Sequence, residues 1–238
     1  MNADNLTTQA EKLTLDQVQA ETQRFMVKVY GWMCVALIVT GAVAMYTSTS
    51  ETLINFVFGS RLTFFGIIIV QFAAVAILAG MVNKMSSATA TLIFIGYSML
   101  TGLTLSGIFF VYTSESIAST FYITAGTFGI MSLYGYTTKS DLSRWGNLLF
   151  MGLLGLIIAS IVNFFMKSTM LYWITTYIGI LIFVGLTAYD TQKIKNTNII
   201  GNEGTEEDQK EAIVGALILY LDFINLFLYL LRIFGKRK

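Results

Sequence analysis

The sequence contains no histidine, no proline and a single cysteine, Cys34, among its 238 residues. One thiol cannot form an intrachain disulfide. Without histidine, the usual His/Cys zinc and haem sites and the Ser-His-Asp and Cys-His catalytic groups are excluded. Any bound metal must therefore be a hard cation held by oxygen atoms. Because proline is absent, helix irregularities must come from the 20 glycines or from inserted polar groups.

Charge is scarce as well. Only 12% of the residues are charged and 55% are apolar, whereas a soluble domain has about 25% charged residues. This composition is that of an integral membrane protein, with the lipid bilayer as its first partner. The net charge of +1 provides no basic face for nucleic acid. Residues 1–28 are polar and mixed in charge, which predicts a cytosolic leader, amphipathic or disordered, and not a cleavable signal.

Seven apolar runs, each about 20 residues long, predict an all-α integral membrane bundle of seven helices. They lie at 29–47, 62–83, 88–112, 117–136, 148–166, 171–192 and 212–234. Together they define a membrane domain over 29–235, followed by a basic tail at 236–238. With a cytosolic N-terminus, nine basic residues lie inside and only Arg61 and Lys167 lie in the outer loops, as the positive-inside rule requires. The nine are Lys12, Arg24, Lys28, Lys84, Lys139, Arg144, Lys193, Lys195 and Lys210.

The last segment leaves its own topology open. Arg232 and the three basic residues of the tail lie outside if the segment crosses the membrane fully, and inside if it is re-entrant. The charge count alone favours a re-entrant segment. The length of 23 residues is enough to cross, and the first span normally dominates orientation. We therefore predict seven full spans.

A polar stripe marks the seventh span. Its members recur at spacings of three and four, which places them on one face of a helix: Gly215, Ile218, Asp222, Asn225, Tyr229 and Arg232. Hydrogen bonding between helices is the simpler role for Asn225. Asp222 is different, because a carboxylate in the bilayer costs about 2.5–3.5 kcal/mol and is a functional hypothesis by default.

The predicted partner of Asp222 is Asp190, near the end of the sixth span in LTAYDTQKIK (186–195). Thr187 shares enough of this face to line the same space. Two carboxyl groups in contact at low dielectric cannot both ionise cheaply, so they share a proton. The shared proton would bond the helices, and its loss would leave two like charges repelling. The separated pair would offer transient oxygen contacts to a cation such as calcium.

These stretches resemble the Bax inhibitor-1, or transmembrane Bax inhibitor motif, family, and most of all its bacterial inner-membrane branch. The resemblance rests on LYLDFINLF (219–227), LRIFG (231–235) and AYDTQKIK (188–195), with YSMLTGLTLSGIF (97–109), SLYGYTTKSDLS (132–143) and VYGWM (29–33) as further matches. It covers nearly the whole chain from about residue 25.

The resemblance implies a seven-helix fold with the last helix central and a di-aspartyl pH sensor at Asp190 and Asp222. Members of the family are described as pH-dependent calcium leak channels, and some bacterial relatives bind a membrane AAA protease. The family's arginine latch late in the second span is not matched: Asn83 or Lys84 stands there, and Gln71 stands at a buried acidic position. Lys84 could replace the latch only in part, as a point charge.

Three functions compete. The first is a pH-sensitive calcium leak that uses both aspartates, with Asn225, Tyr229, Thr187 and Lys84 in support and no resident cofactor. The second is an interaction protein that modulates a membrane AAA protease or another membrane partner, with structural aspartates. The third, an intramembrane aspartyl protease, is disfavoured because Gly-x-Gly-Asp and Pro-Ala-Leu are missing, so no enzymatic activity is expected. The sequence leaves the oligomeric state open.

The loop before the seventh span is acidic, with Glu203, Glu206, Glu207, Asp208 and Glu211. It could attract cations to a cytosolic mouth. A solvated connector is the favoured interpretation, because the spacing matches no calcium-binding loop.

Overall fold

A computed structural model describes residues 14–238, and their secondary structure is almost entirely helical. The helices are α1 (Leu15–Thr49), α2 (Glu51–Phe58), α3 (Arg61–Met81), α4 (Ser87–Leu105), α5 (Ile108–Val111), α6 (Ser114–Thr137), α7 (Ser143–Met166), α8 (Thr169–Thr197) and α9 (Glu206–Phe234). A 3₁₀ turn at Val82–Lys84 follows α3. Within these residues, seven helical segments are long and apolar enough to cross a membrane. The all-α, seven-span prediction is confirmed.

The first span begins well inside the predicted leader. Thr14 caps α1 through a capping box: its backbone N–H donates to Gln17 Oε1 at 2.8 Å, and the Gln17 N–H donates to Thr14 Oγ1 at 3.4 Å. This reciprocal pair satisfies donors that the first turn would otherwise leave unbonded. The leader is therefore helical from Leu15 and continuous with the span. Its residues 1–13, including Lys12, lie outside the described part of the chain.

The third predicted span is interrupted near its end. α4 stops at Leu105, and the short α5 follows after Ser106 and Gly107. The Ser106 hydroxyl donates to the Leu103 carbonyl oxygen at 2.7 Å, which competes with the helical hydrogen-bond ladder. With no proline in the chain, serine and glycine supply this break. A second departure is α2, a short helix between the first two spans that the apolar runs did not predict.

The described chain divides into two units, and the first holds residues 14–111 and 197–220. Here α1 packs closely on α4, because Gly102 has no side chain: a Cβ would lie 2.7 Å from the Thr40 carbonyl oxygen and 2.8 Å from Val43 Cβ. The N-terminal half of α9 adds Tyr220, whose ring packs edge-on against Phe94 and Tyr97. The Tyr220 hydroxyl also bonds Thr40 Oγ1 at 2.7 Å.

The start of α1 binds the loop before α9 through a hydrogen bond and two ion pairs. Three α1 side chains lie on one helical face, because they are spaced by three and four residues: Glu21, Arg24 and Lys28. Each of them binds a different residue within 201–208, and we call these three contacts the α1–loop clasp. Its contacts are the Gly201 N–H to Glu21 Oε1 at 2.8 Å, Arg24 to Glu203 at 2.6 Å and Lys28 to Asp208 at 2.5 Å. Two acids of the loop, Glu203 and Asp208, are thus paired with cations of α1, so the loop is not a freely solvated connector.

The second unit holds residues 112–196 and 221–238. It contains α6, α7, α8 and the C-terminal half of α9. The basic tail lies beside the start of α6, where the Thr113 N–H donates to the Lys236 carbonyl oxygen at 2.9 Å. The end of α9 therefore lies at the same end of this unit as the α6 start and the α7–α8 turn.

The length and burial of α9 indicate that the seventh span crosses the membrane fully. α9 is one continuous helix of 29 residues, about 43 Å long at 1.5 Å per residue, which exceeds the hydrocarbon core of a bilayer. A full crossing therefore fits better than a re-entrant loop. α9 is also the most enclosed span: 61% of its most apolar stretch is buried within the protein, against 6–33% for the others. Such burial is expected of a helix with protein neighbours on most sides.

Candidate functional site: an aspartate pair between α8 and α9

The two predicted acids meet within the second unit. The carboxyl groups of Asp190 on α8 and Asp222 on α9 lie within hydrogen-bonding range of each other. Asp222 is only 5% exposed, and its Oδ2 has no hydrogen-bond partner among the described residues. Asp190 is partly exposed, and Lys193, one turn further along α8, acts on it electrostatically. Asp222 is thus the buried residue of the pair, whereas Asp190 borders a more polar environment.

Glycines fix the segment of α8 that carries Asp190. Gly135 of α6 lies directly against the backbone of Ala188, and a Cβ there would overlap the Ala188 carbonyl. Gly146 of α7 faces the Tyr189 ring in the same way. Because these contacts sit one and two residues before Asp190, α8 can shift little without separating from α6 and α7. On the following turn, the hydroxyls of Ser132 and Thr191 bond at 2.9 Å.

The α6–α7 loop closes over the same end of α8. Gln192 accepts from the Leu142 N–H and donates to the Ser140 carbonyl oxygen, both at 2.8 Å. Lys195 donates to the Tyr136 carbonyl oxygen at 2.8 Å, with its ammonium 4.9 Å from the Tyr136 ring centroid. These bonds fix the loop, which borders a cavity of about 250 Å³ lined by Thr138, Lys139, Ser140, Asp141, Gln192, Lys195 and Asn196.

Asp141 gives this cavity its acidic group. Hydrogen bonds from Ser143 hold the pKa of the exposed Asp141 carboxyl below its usual value, with a smaller contribution from the Arg144 charge. A carboxylate that is stabilised in this way stays ionised over a wide pH range. The cavity at the Asp190 end of the unit is therefore polar and carries both signs of charge.

The residues predicted to support the pair have other partners. The Thr187 hydroxyl donates to the Phe183 carbonyl oxygen at 2.7 Å, and the Asn225 amide donates to the Leu221 carbonyl oxygen at 2.8 Å. Both bonds stay within one helix. Tyr229 stacks on Phe183, with ring centroids 5.8 Å apart, and fills the space left by Gly179.

Lys84 lies in the first unit, exposed in the 3₁₀ turn after α3. It forms no ion pair within residues 14–238. Other cations of the first unit do form ion pairs: Arg24 pairs with Glu203 and Lys28 with Asp208. Lys84 therefore makes no ion pair of the kind that a partial replacement of the arginine latch would require.

The donor set limits what a cation could find at this site. No cluster of three or more acidic, cysteine or histidine side chains suited to a metal occurs in the described residues. Calcium takes six to eight oxygen ligands, so two carboxylates leave most positions to water or to carbonyl groups. Asp190 and Asp222 alone therefore do not provide the ligand set of a resident calcium site.

Several residues near the pair could not be singled out from the sequence. Gly135, Ser132 and Gln192 position α8, yet in the sequence they look like ordinary small or polar residues. The stretch 132–143 contains the first two and resembles the family, but a resemblance does not specify contacts. Their role depends on which helices become neighbours, which apolar runs do not specify.

Taken together, the fold and site define a multi-pass, all-helical membrane protein in which two acids from neighbouring spans are in contact. Comparison with known proteins agrees. The sequence model of the family described as "Inhibitor of apoptosis-promoting Bax1" matches residues 22–238. The chain therefore belongs to the Bax inhibitor-1 family, as the resemblance predicted.

Individual relatives extend this result. The chain is 56% identical to the inner membrane protein YbhL of Escherichia coli K12 over 223 residues, 93% of this chain and 95% of YbhL. It is 48% identical over 215 residues to an uncharacterised protein of Borreliella burgdorferi, covering 90% and 93% of the two chains. An uncharacterised protein of Rickettsia prowazekii is 46% identical over 237 residues, covering 98% and 97%. With seven spans and such relatives, the predicted multi-pass inner-membrane location is confirmed.

Proposed function

We propose that this protein is a pH-sensitive cation leak, with calcium as the ion, and that a proton shared by Asp190 and Asp222 controls it. The observation that carries the proposal is the contact between these two carboxyl groups, one of them almost fully buried. A buried pair of acids costs free energy that a purely structural contact between apolar residues would avoid. The proposal involves no catalytic step and no resident cofactor.

The proton determines whether the two helices stay together. With one proton on the pair, the protonated carboxyl donates a short, charge-assisted hydrogen bond to the other. The proton belongs to the pair, in which Asp222 is the more deeply buried acid and Asp190 has Lys193 one turn further along α8. Without the proton, two like charges face each other at low dielectric, and the two carboxylates repel each other.

Separation of the carboxylates would expose oxygen ligands along α9. A calcium ion could then exchange part of its hydration shell for the two side chains and move on, because two ligands do not hold it tightly. The polar cavity beside Gln192 and Asp141 lies at the Asp190 end of the unit, where it would admit ions and water. In this proposal, flux rises as the pH rises and the shared proton is lost.

Calcium flux into proteoliposomes between pH 5 and pH 8 tests the proposal. Asp222→Asn mimics the protonated acid, so flux should be low and independent of pH. Asp190→Asn should also remove the pH response. Asp16→Asn is the matched control, because it makes the same change at an exposed aspartate in the first turn of α1, and it should behave like the wild-type protein.

Flux that keeps its pH response in both Asp190→Asn and Asp222→Asn contradicts the proposal. The interaction function, in which a membrane AAA protease or another membrane protein is the partner and the aspartates are structural, would then be preferred. Purification of the protein from native membranes with its bound partners would be the measurement to follow.

A further inference from the structure

The second unit has another cavity at the end opposite the aspartate pair. Its volume is about 550 Å³, and its lining residues come from the α7–α8 turn, the start of α8 and the end of α9 with its tail. They are Asn163, Lys167, Ser168, Thr169, Tyr172, Trp173, Arg232, Ile233, Gly235 and Arg237. Three of these ten described residues are cationic, and none is acidic.

The cations are held in place by different means. The Arg232 guanidinium lies over two aromatic rings, 5.2 Å from the Tyr172 centroid and 4.8 Å from the Tyr229 centroid. Lys167 ends α7 in the left-handed conformation, at φ 51°, with its N–H bonded to the Asn163 carbonyl oxygen at 2.8 Å. Arg232 is thus positioned by its contacts with two aromatic rings, and Lys167 by the backbone geometry of the α7–α8 turn.

The tail that carries Arg237 is fixed as well. Arg237 forms an isolated antiparallel bridge with Tyr112, and the adjacent Lys236 carbonyl accepts from the Thr113 N–H. Gly235 packs so closely that a Cβ would overlap the Leu231 carbonyl oxygen and lie 2.5 Å from the Tyr112 ring. Arg237 therefore enters the cavity from an anchored backbone and not from a loose terminus.

The helix dipoles explain only part of the positive charge that lines this cavity. Basic residues at the ends of α7 and α9 are favoured by the negative ends of the helix dipoles, which accounts for Lys167 and Arg232. Arg237 lies beyond α9 and gains less from that field. In the predicted orientation, all three cations also lie on the outer side, where the positive-inside rule disfavours them. A bound anion would offset the mutual repulsion of these cations.

We infer that this cavity binds a phosphate group, either the headgroup of an anionic phospholipid or free phosphate. Arginine guanidinium groups match the geometry of phosphate oxygens, and lysine adds a point charge. The start of α8 at Ser168 and Thr169 adds a positive dipole end and hydroxyl groups. Tyr172 and Trp173 are of the type that lies at the headgroup level of a bilayer, where both sources of phosphate are available. The inference is independent of ion conduction.

Thermal unfolding of the full-length protein in detergent separates the two sources. The added probes are phosphatidylglycerol, a diacylglycerol that lacks phosphate, inorganic phosphate, and potassium chloride at equal ionic strength. A rise in Tm with phosphatidylglycerol alone identifies a lipid headgroup. A rise with inorganic phosphate, and not with chloride, identifies free phosphate.

Removal of the cations tests the location. In the double variant Lys167→Asn/Arg237→Gln, the probe that raises Tm should be needed at a concentration roughly tenfold higher or more. Each basic residue near an anionic surface contributes substantially to the binding free energy. Asparagine tolerates the left-handed conformation at position 167. Arg61→Gln with Lys139→Gln removes the same charge elsewhere and should respond like the wild-type protein. If the double variant fails to fold, Arg237→Gln alone serves, because only backbone groups anchor that position.

Three results overturn the inference. The first is the absence of any Tm rise in the wild-type protein with both phosphate-containing probes. The second is an equal rise in the wild-type protein and in the variants that lack cavity cations. The third is a rise with diacylglycerol as large as that with phosphatidylglycerol, because the phosphate would then contribute nothing.

Discussion

Gly135 of α6 and Ala188 of α8 are in backbone contact, two residues from Asp190. The contact sets the distance between the two helices, since any larger side chain at position 135 would have to push α8 away. The geometry of the aspartate pair therefore depends on a residue that has no polar group of its own. This contact and those of the first unit can each be tested by substitution.

Gly135→Ala should destabilise the protein, because the new Cβ overlaps the Ala188 carbonyl and α8 must move. Overpacking of this kind costs about 1–3 kcal/mol. Thermal unfolding in detergent measures the loss. The matched control is Gly129→Ala on the same helix, where nothing lies within 4 Å of the added Cβ, and its Tm should stay near that of the wild-type protein. Equal Tm values for the two variants would contradict the close contact.

Asp208→Asn should destabilise the first unit. The Asp208 carboxylate is 1% exposed and accepts from both Lys28 and the Gly204 N–H, at 2.5 and 2.8 Å. An amide keeps one acceptor but loses the charge, so the cost should be about 1–3 kcal/mol. Glu207→Gln removes a charge from the adjacent, exposed position and should have a smaller effect. Chemical unfolding of both variants measures the difference, and the reverse order would refute this role for Asp208.

The Arg24–Glu203 pair should make stability depend on pH. The hydrogen bond from Arg24 holds the pKa of the Glu203 carboxyl below its usual 4.5. A lowered pKa in the folded state means that the stabilisation is complete above the usual value and is lost as the pH falls through the lowered one. The Tm difference between the wild-type protein and Glu203→Gln, measured from pH 3 to pH 7, should therefore be largest near neutrality. A difference that stays constant over this range would show that the pair contributes no linkage.

The spans and the two acids could be predicted from sequence because both leave strong patterns. Apolar runs of membrane length mark the helices, and spacings of three and four put Asp222 on a polar face. The break after Leu105 was harder to predict, because Ser106 and Gly107 also occur within intact helices. α2 was missed because eight residues are too few for a span.

The remaining contacts arise from tertiary structure. The 20 glycines of the sequence are equal candidates for helix packing, and only the fold singles out Gly135 as the one facing Ala188. The α1–loop clasp joins residues about 180 positions apart, so no local pattern reveals it. The helical start of the leader is different: Thr14 and Gln17 stand at the spacing of a capping box, and that signal was available.

The burial of α9 has a consequence for biosynthesis. This helix leaves the ribosome after the other six spans, so those spans are synthesised before the helix whose two halves pack in the two units. Until it arrives, Thr40 lacks the Tyr220 hydroxyl and Asp190 lacks its carboxyl neighbour. The contacts that Tyr220 and Asp222 make with earlier spans can therefore form only after the last span has been synthesised.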